Sequence, residues 1–421
     1  MGLSILKITG TGSFLRSIFR SLNSYRGARM VSTANRSAES QVSSSSDSPF
    51  SSSSSSSSPL LMLSPRSYNT CYDLYNIAEN RLFTIPKSEK STFRYATKIV
   101  GSSHGWLACF NYRRNELFLS NPLSGRRVNL PPVDNLSIPR SSLRSGVGIQ
   151  KIIISCSDPE SEECRAMMLF NTSSKLAYCC PGISSSTEWT TIKETNEDFV
   201  YCATQELLFT VHLSDKSVAI LVLEAWDLRN PLSPSLVWSC DFDKLEYCYR
   251  SGGPSNPVQN FEFSLDQQEY LVVSQKGELF LVFRCIERYV GPDGLRAKVD
   301  PEDHLFRFKY PPKTADYKVH KIVREGDHGG KKIYMHNHLD DQVMFIGWLS
   351  HGIAVPATDA NGFQPNTICF TDDAYTLKRP ARGTDNGIFD YKNKTFHPCY
   401  YPFDFINLRK KIMPPLWLTP N

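Results

Sequence analysis

No C-x-x-C pair occurs anywhere in the 421 residues, which removes the usual zinc-ribbon and thioredoxin-type signatures. No apolar run after the first residues approaches the ~20 needed for a membrane-spanning helix, so the mature protein is expected to be soluble. Residues 1–38 contain no acid at all, although they hold Lys7, Arg16, Arg20, Arg26, Arg29 and Arg36. Without those six, 41 basic residues face 42 acidic ones, so the formal charge of +5 belongs to the leader. A near-neutral remainder argues against a general nucleic-acid binder, which would keep a basic face on its folded part. Beyond the leader no long apolar stripe of helical period occurs, which excludes a helix-rich domain.

The leader has a design of its own. Leu15, Ile18, Phe19 and Leu22 fall on one helical stripe, with Arg16 and Arg20 off it. An amphipathic, arginine-rich and acid-free start reads as an organellar transit peptide over residues 1–38. A secretory signal is disfavoured, because no continuous apolar run precedes a small-residue cleavage site. Alternating arginines point to the mitochondrion, with the chloroplast or dual targeting as alternatives, and a disordered basic tail is the bland reading. Residues 39–58, with Ser43 to Ser46 and Ser51 to Ser58, cannot bury enough apolar surface to offset chain entropy and read as a flexible linker. Ordered structure is expected from Pro59 to the end, residues 59–421.

The twelve cysteines are scattered and sit largely in apolar runs such as "WLACF" and "TICFT". They read as buried free thiols of a reducing compartment rather than a disulfide scaffold. Short β-rich runs separated by turns, for example Lys151–Ser155, Val218–Leu223, Tyr270–Ser274 and Val343–Gly347, with 24 Phe, 19 Tyr and 26 Pro, predict an all-β fold. Three arms look alike, "RNELFLS", "TQELLFTVH" and "KGELFLVFR". Their glutamates, Glu116, Glu206 and Glu278, are 90 and 72 residues apart, which reads as about two propeller blades each time. A single β-propeller of six to eight blades is therefore expected over a sandwich.

Candidate chemistry is sparse. Gly101-Ser102-Ser103-His104-Gly105 fits G-x-S-x-G, the nucleophile elbow of serine hydrolases, but an elbow needs a helix after the serine. Here "WLACF" follows, so Ser103 and His104 read as a hairpin turn. His336 and His338, with His328 nearby, could suggest a metal, but read as alternate residues of a strand they share one side, lack a third partner in sequence and read as solvent-facing. Gly326 to Lys332 is like a phosphate loop, yet no Ser or Thr follows Lys332, so it reads as a glycine-rich turn. Asp372-Asp373 and Asp385-Asn386-Gly387 read as turn chemistry rather than metal ligands. No catalytic, cofactor or metal residue is assigned.

The segment "GSSHGWLACFNYRRNELFLSNPLSGRRVNLPPV", Gly101 to Val133, resembles the signature of a plant family, domain of unknown function 295, also described as a KIB-type β-propeller with F-box and kelch-like relatives. "PNTICFTDD", "DNGIFDYKNKTFHPCYYP" and "PPLWLTP" resemble the family's closing blade in the same order. Trp106 would be a wedge between blades and Asn121 to Gly125 a turn. Relatives often carry an N-terminal F-box; here residues 1–58 hold the leader and serine tract instead, so the ubiquitin-ligase adaptor role that the resemblance implies is disfavoured. What remains resembles the organelle-targeted branch. The expectation is a non-enzymatic propeller that binds another macromolecule, an organellar protein, with an enzyme working in the central channel as the alternative. The ring is expected to close by pairing Leu60–Leu63 with the C-terminal "PPLWLTP", burying Trp417.

Overall fold

The computed structural model describes residues 59–63, 71–77, 79–86, 97–145, 148–171, 174–183, 188–193, 197–214, 220–230, 233–243, 266–287, 313–326, 329–360, 362–371, 385–398 and 415–419. The leader and serine tract lie outside these residues, as do His328, Asp372 and Asp373. The architecture among the described residues is almost wholly β, and the one helix, α1 (Arg140–Ser145), is a single short turn between blades. No described helix is long and apolar enough to cross a bilayer.

Blade I combines both chain ends. β1 (Leu60–Met62), β2 (Cys71–Asn76) and β3 (Arg81–Pro86) form a meander, and the C-terminal β25 (Leu416–Leu418) pairs antiparallel with β1. Leu61 faces Trp417 across that seam, and Trp417 is 0% exposed. The expected closure is therefore the observed one. Blade II is the meander β4 (Thr97–Ser103), β5 (Trp106–Asn111), β6 (Glu116–Ser120) and β7 (Arg127–Asn129). Blade III holds β8 (Ile149–Ile154), β9 (Ala166–Phe170), β10 (Lys175–Cys179) and β11 (Thr190–Lys193). Blade IV holds β12 (Asp198–Cys202), β13 (Leu207–Leu213), β14 (Ile220–Asp227) and β15 (Ser235–Asp243).

The last two blades share one nine-stranded sheet. Blade V is β16 (Asp266–Ser274), β17 (Leu279–Glu287), β18 (Lys313–Glu325) and β19 (Gly329–Tyr334). Blade VI is β20 (Gln342–Ile346), β21 (Ile353–Pro356), β22 (Thr367–Phe370), β23 (Gly387–Asp390) and β24 (Thr395–Pro398). They join because β21 pairs parallel with the innermost strand of blade V, β16.

Among the described residues, packing gives six blades. A separate apolar cluster fills each gap between neighbours, because alternate residues of a strand point to opposite faces. On β8, Ile152 and Ile154 pack toward blade II while Ile153 packs toward blade IV. The other gaps are filled between blades IV and V, V and VI, VI and I, and I and II, so the ring is closed all the way round. Strands buried on both faces, such as β5, β9 and β20, consequently read as nearly unbroken apolar runs rather than alternating ones.

Two sequence expectations need correction. Glu206 and Glu278 occupy the same place, the turn before the second strand of blades IV and V, so 72 residues separate one blade from the next. Glu116 instead opens the third strand of blade II. The shared letters reflect hairpin composition, and the uneven spacing reflects long segments between strands. Of the cysteines, nine are free thiols, but Cys285 is disulfide-bonded, and Cys248 and Cys399 lie outside the described residues.

Candidate functional site

Ser103 sits at the end of β4, and Ser103 pairs directly with Trp106 across a two-residue turn. His104 and Gly105 both take positive φ, 48° and 74°, the signature of the primed hairpin turn that matches strand twist. A strand follows instead of a helix, so no helical amides point at the serine. Ser103 Oγ accepts a hydrogen bond from the Ile154 N–H at 2.8 Å, stitching blade II to blade III. Trp106 is the expected wedge: it is buried among residues of both blades and donates from Nε1 to Ser157 O at 2.9 Å. Replacing Ser103 by Ala is expected to leave Ile154 N–H without its partner and cost about 1–3 kcal/mol of stability. The wild-type protein should not react with a fluorophosphonate probe; labelling lost in the alanine variant would restore the hydrolase reading.

The centre of the ring holds a feature the sequence reading did not find. Between β20 and β21 the chain runs through Gly347-Trp348-Leu349-Ser350-His351-Gly352 and touches every other blade. Ser102 N–H donates to Leu349 O at 2.7 Å and His351 N–H to Ser102 O at 3.0 Å, a parallel bridge to blade II. Trp348 and Leu349 pack into the apolar gap between blades III and IV. His351 Nε2 lies 3.0 Å from Tyr201 O in blade IV, and Val273 N–H in blade V donates to Gly352 O at 3.1 Å. The Trp417 N–H in blade I donates to Ser350 Oγ at 3.2 Å. Glycine is required where these strands converge: a Cβ on Gly101 would stand 1.7 Å from Ile152 O, and one on Gly352 2.1 Å from Leu271 O. The tripeptide Ser-His-Gly occurs at residues 103–105 and again at 350–352. That repetition is the signal that could have paired them, since the rings of His104 and His351 lie 5.6 Å apart.

Titratable groups do meet here, in a buried setting. Burial lowers His104 to a pKa of about 4. His351 falls to about 3, through burial first and then the charges of His104 and Lys151. Both rings are therefore neutral at physiological pH. Lys151 and Asp198, each 1% exposed, form a 2.7 Å ion pair between blades III and IV. The second oxygen of Asp198 accepts from Leu271 N–H at 2.9 Å, adding blade V to the same staple. Lys151, Asp198 and His351 are thus engaged in holding blades together, whereas His104 Nε2 and Ser102 Oγ are buried with no hydrogen-bond partner.

A different opening lies between blades IV and V. Leu207, Phe209, Ala225, Trp238, Leu279 and Ile322 form the apolar wall of a cleft of about 230 Å³. Gln205, Glu278, Lys321 and Arg324 edge it. The blades supply these residues from matching turns: Gln205 Nε2 donates to Gly277 O at 2.6 Å across the gap. Gly330 lets the Trp238 ring lie against the backbone of β19, where a Cβ would stand 2.5 Å from the ring. The indole then donates from Nε1 to Gly329 O at 3.0 Å. Lys321, 2.6 Å from Glu278, holds that carboxyl below its ordinary pKa, so the rim is charged at neutral pH. Val323, also on the rim, is 36% exposed.

The remaining sequence candidates have ordinary roles. His336 and His338 are exposed in the loop after β19, not on a strand, with His336 against Tyr334 and His338 Nδ1 3.3 Å from Asp340. Among the described residues no group of three or more His, Cys, Asp or Glu could hold a metal. Gly329 to Lys332 open β19, which pairs antiparallel with β18, and Asp327 and His328 lie outside the described residues. Asp385 does more than make a turn. Its Oδ2 accepts from Arg284 Nη2 at 2.6 Å and from Thr314 N–H at 2.8 Å, tying blade VI to the buried arginine of blade V.

Residues 74–391, which take in blades II to V entirely, blade VI without its outermost strand β24, and β3 with the end of β2 from blade I, match the KIB1-4 beta-propeller family. The chain belongs to that family. No curated protein matches this KIB1-4 propeller. Among solved structures, the Cps50 (Swd1) β-propeller domain of Myceliophteria thermophila is similar at 11% identity, over 71% of this chain and 73% of that one, with a TM-score of 0.31. KlAtg21 in complex with the coiled coil of AgAtg16 matches at 11% identity and a TM-score of 0.31, over 62% of this chain and 64% of KlAtg21. The PQQ-bound aldose sugar dehydrogenase of Streptomyces coelicolor matches at 12% identity and a TM-score of 0.23, over 56% and 84%.

Proposed function

We propose that this propeller is a non-catalytic, organelle-addressed module that binds another protein, and that the cleft between blades IV and V receives an apolar anchor side chain of that partner. The cleft carries the reading. At about 230 Å³ it is smaller than the ~300–1,000 Å³ typical of cofactor and metabolite pockets. A large side chain set in an apolar slot with a polar rim is how protein interfaces concentrate their affinity. Lys276, Arg324 and Lys331 edge or flank the cleft beside the paired Lys321 and Glu278, and exposed Leu236, Val237 and Ile333 lie on the adjoining outer strands. The partner segment is therefore an apolar residue flanked by acidic ones. Catalysis at the ring axis is the second reading, favoured by the meeting of His104, His351, Lys151 and Asp198. Their burial, and the engagement of Lys151, Asp198 and His351 between blades, support a packing role instead.

Val323→Arg is expected to keep the melting temperature within a few degrees, because the site is on the rim, while abolishing capture of the partner recovered by proximity labelling. Capture at wild-type strength would remove the cleft from the interface. The organellar address rests on the leader. Residues 1–58 fused to a fluorescent protein should enter mitochondria, and removal of Arg16, Arg20, Arg26 and Arg29 should stop import. Undiminished import of the charge-depleted leader would contradict the reading of its arginines.

A further inference from the structure

The loop joining β8 to β9 brings two thiols together. Ile154 pairs with Ala166, and the ladder continues one step as Ser155 N–H donates to Arg165 O at 2.9 Å and Arg165 N–H to Ser155 Oγ at 2.8 Å. One step beyond the end of the ladder, Cys156 and Cys164 meet on the two arms of the loop with their side chains in contact. Both are free, and the Cys164 thiol is hydrogen-bonded to the Cys156 sulfur. Cys156 is partly exposed and Cys164 is 0% exposed.

We propose that Cys156 and Cys164 are a reversible dithiol–disulfide modification site, with hydrogen peroxide as oxidant, Cys156 as the attacking sulfur and Cys164 as the resolving one. The Cys156 thiolate attacks one peroxide oxygen, the O–O bond breaks, and the departing hydroxide takes up a proton to leave as water. Cys156 is then a sulfenic acid. The Cys164 sulfur attacks it as its thiol proton is released, the S–O bond breaks, and a second water leaves. Two thiols and one peroxide become one disulfide and two waters, the peroxide having been reduced by two electrons.

The setting fits each role. The hydrogen bond from Cys164 lowers Cys156 to a pKa of about 7, so much of it is thiolate at neutral pH. The same contact, and then burial, hold Cys164 protonated until its partner is oxidised. By contrast Cys179, at the end of β10, is buried and raised well above an ordinary thiol, which makes it an internal control. The loop also joins three blades. Trp106 donates to Ser157 O, Arg126 of blade II pairs with Glu160 and with Asp158 at 3.4 Å, and Arg165 Nε donates to Leu228 O of blade IV at 3.0 Å. A disulfide would clamp the loop at that junction.

The test uses the full chain and its own tryptic map, because the peptide between Lys151 and Arg165 contains both thiols and no other cysteine. Reduced protein is pulsed with hydrogen peroxide, alkylated and digested. The expected product is the peptide from Ile152 to Arg165, two hydrogens lighter and unalkylated, reverting fully with dithiothreitol and forming faster as pH rises through about 7. In Cys164→Ser the disulfide is lost and Cys156 is trapped by dimedone as sulfenic acid. A wild-type peptide that stays doubly alkylated, that oxidises no faster than Cys179, or that gains only sulfinic acid at Cys156 would overturn the proposal. The wild-type map decides even if the variant fails to fold.

Discussion

Deleting the chain after Asn407 unfolds the whole ring, by this account, rather than trimming a tail. The deletion removes β25, whose Leu416, Trp417 and Leu418 are each buried to 2% exposure or less. It strips all three backbone pairings from β1 and the bond from Gly105 N–H to Thr419 O at 2.5 Å. The indole of Trp417, which donates to Ile346 O at 3.1 Å and stacks edge-on against Phe345, goes with it. Truncating a buried Trp alone costs about 3–5 kcal/mol, and each buried Leu about 1.5–3. That sum, about 6–11 kcal/mol, is as large as the ~5–15 kcal/mol by which a domain is typically stable, and the deletion also leaves β1 as a raw sheet edge. Trp417→Ala should lower stability by about 3–5 kcal/mol, whereas Leu82→Ser, on the exposed outer strand of blade I, should change it little. Thermal melting and limited proteolysis read both. An unchanged melting temperature in the deletion would mean that the seam does not hold the ring.

The second large effect is expected at the staple of blades III, IV and V. Asp198→Ala leaves the Lys151 ammonium buried without its carboxylate and Leu271 N–H without an acceptor. Removing one member of a buried pair costs about 3–5 kcal/mol, most of it for the charge left behind. Lys151→Met should cost a similar amount for the converse reason. The double variant Lys151→Met, Asp198→Ala should be less destabilised than the sum of the singles, because it leaves no buried charge. It does not return to wild type, since Leu271 N–H stays unpaired. Urea denaturation of the four proteins closes the cycle. Strict additivity, or a single variant costing under 1 kcal/mol, would remove the pair from the fold's energetics.

Local chemistry made part of this fold readable. The primed turn at His104 and Gly105 follows from strand-like sequence on both sides of a G-x-S-x-G match. Closure could be foreseen because Trp417 in "PPLWLTP" would otherwise be a large exposed aromatic, and Leu60–Leu63 offered a strand to cover it. Asn121 to Gly125 also forms the expected turn, with Asn121 Oδ1 accepting from the Leu123 and Ser124 amides and Gly125 at φ 68°. Contacts between distant segments were not readable. The axial crossing at residues 347–352 depends on Ser102, Tyr201, Val273 and Trp417, four positions from four blades. The cleft likewise joins Trp238 to Lys321 and Gln205 to Gly277, and no period connects them because the segments between strands vary in length. Asp385 resembled turn chemistry for the same reason, since its partner Arg284 lies a blade away.

The most direct test of the account places a photocrosslinking residue at Val323, on the rim of the cleft between blades IV and V, and a matched one at Leu82. Leu82 is also exposed, at 51%, but lies on the outer strand of blade I. Irradiation of intact organelles should join a protein partner to the chain from position 323 and not from position 82, and Arg at position 323 should already have abolished its capture. Crosslinks of equal yield from both positions, or from position 82 alone, would contradict a docking site in the cleft.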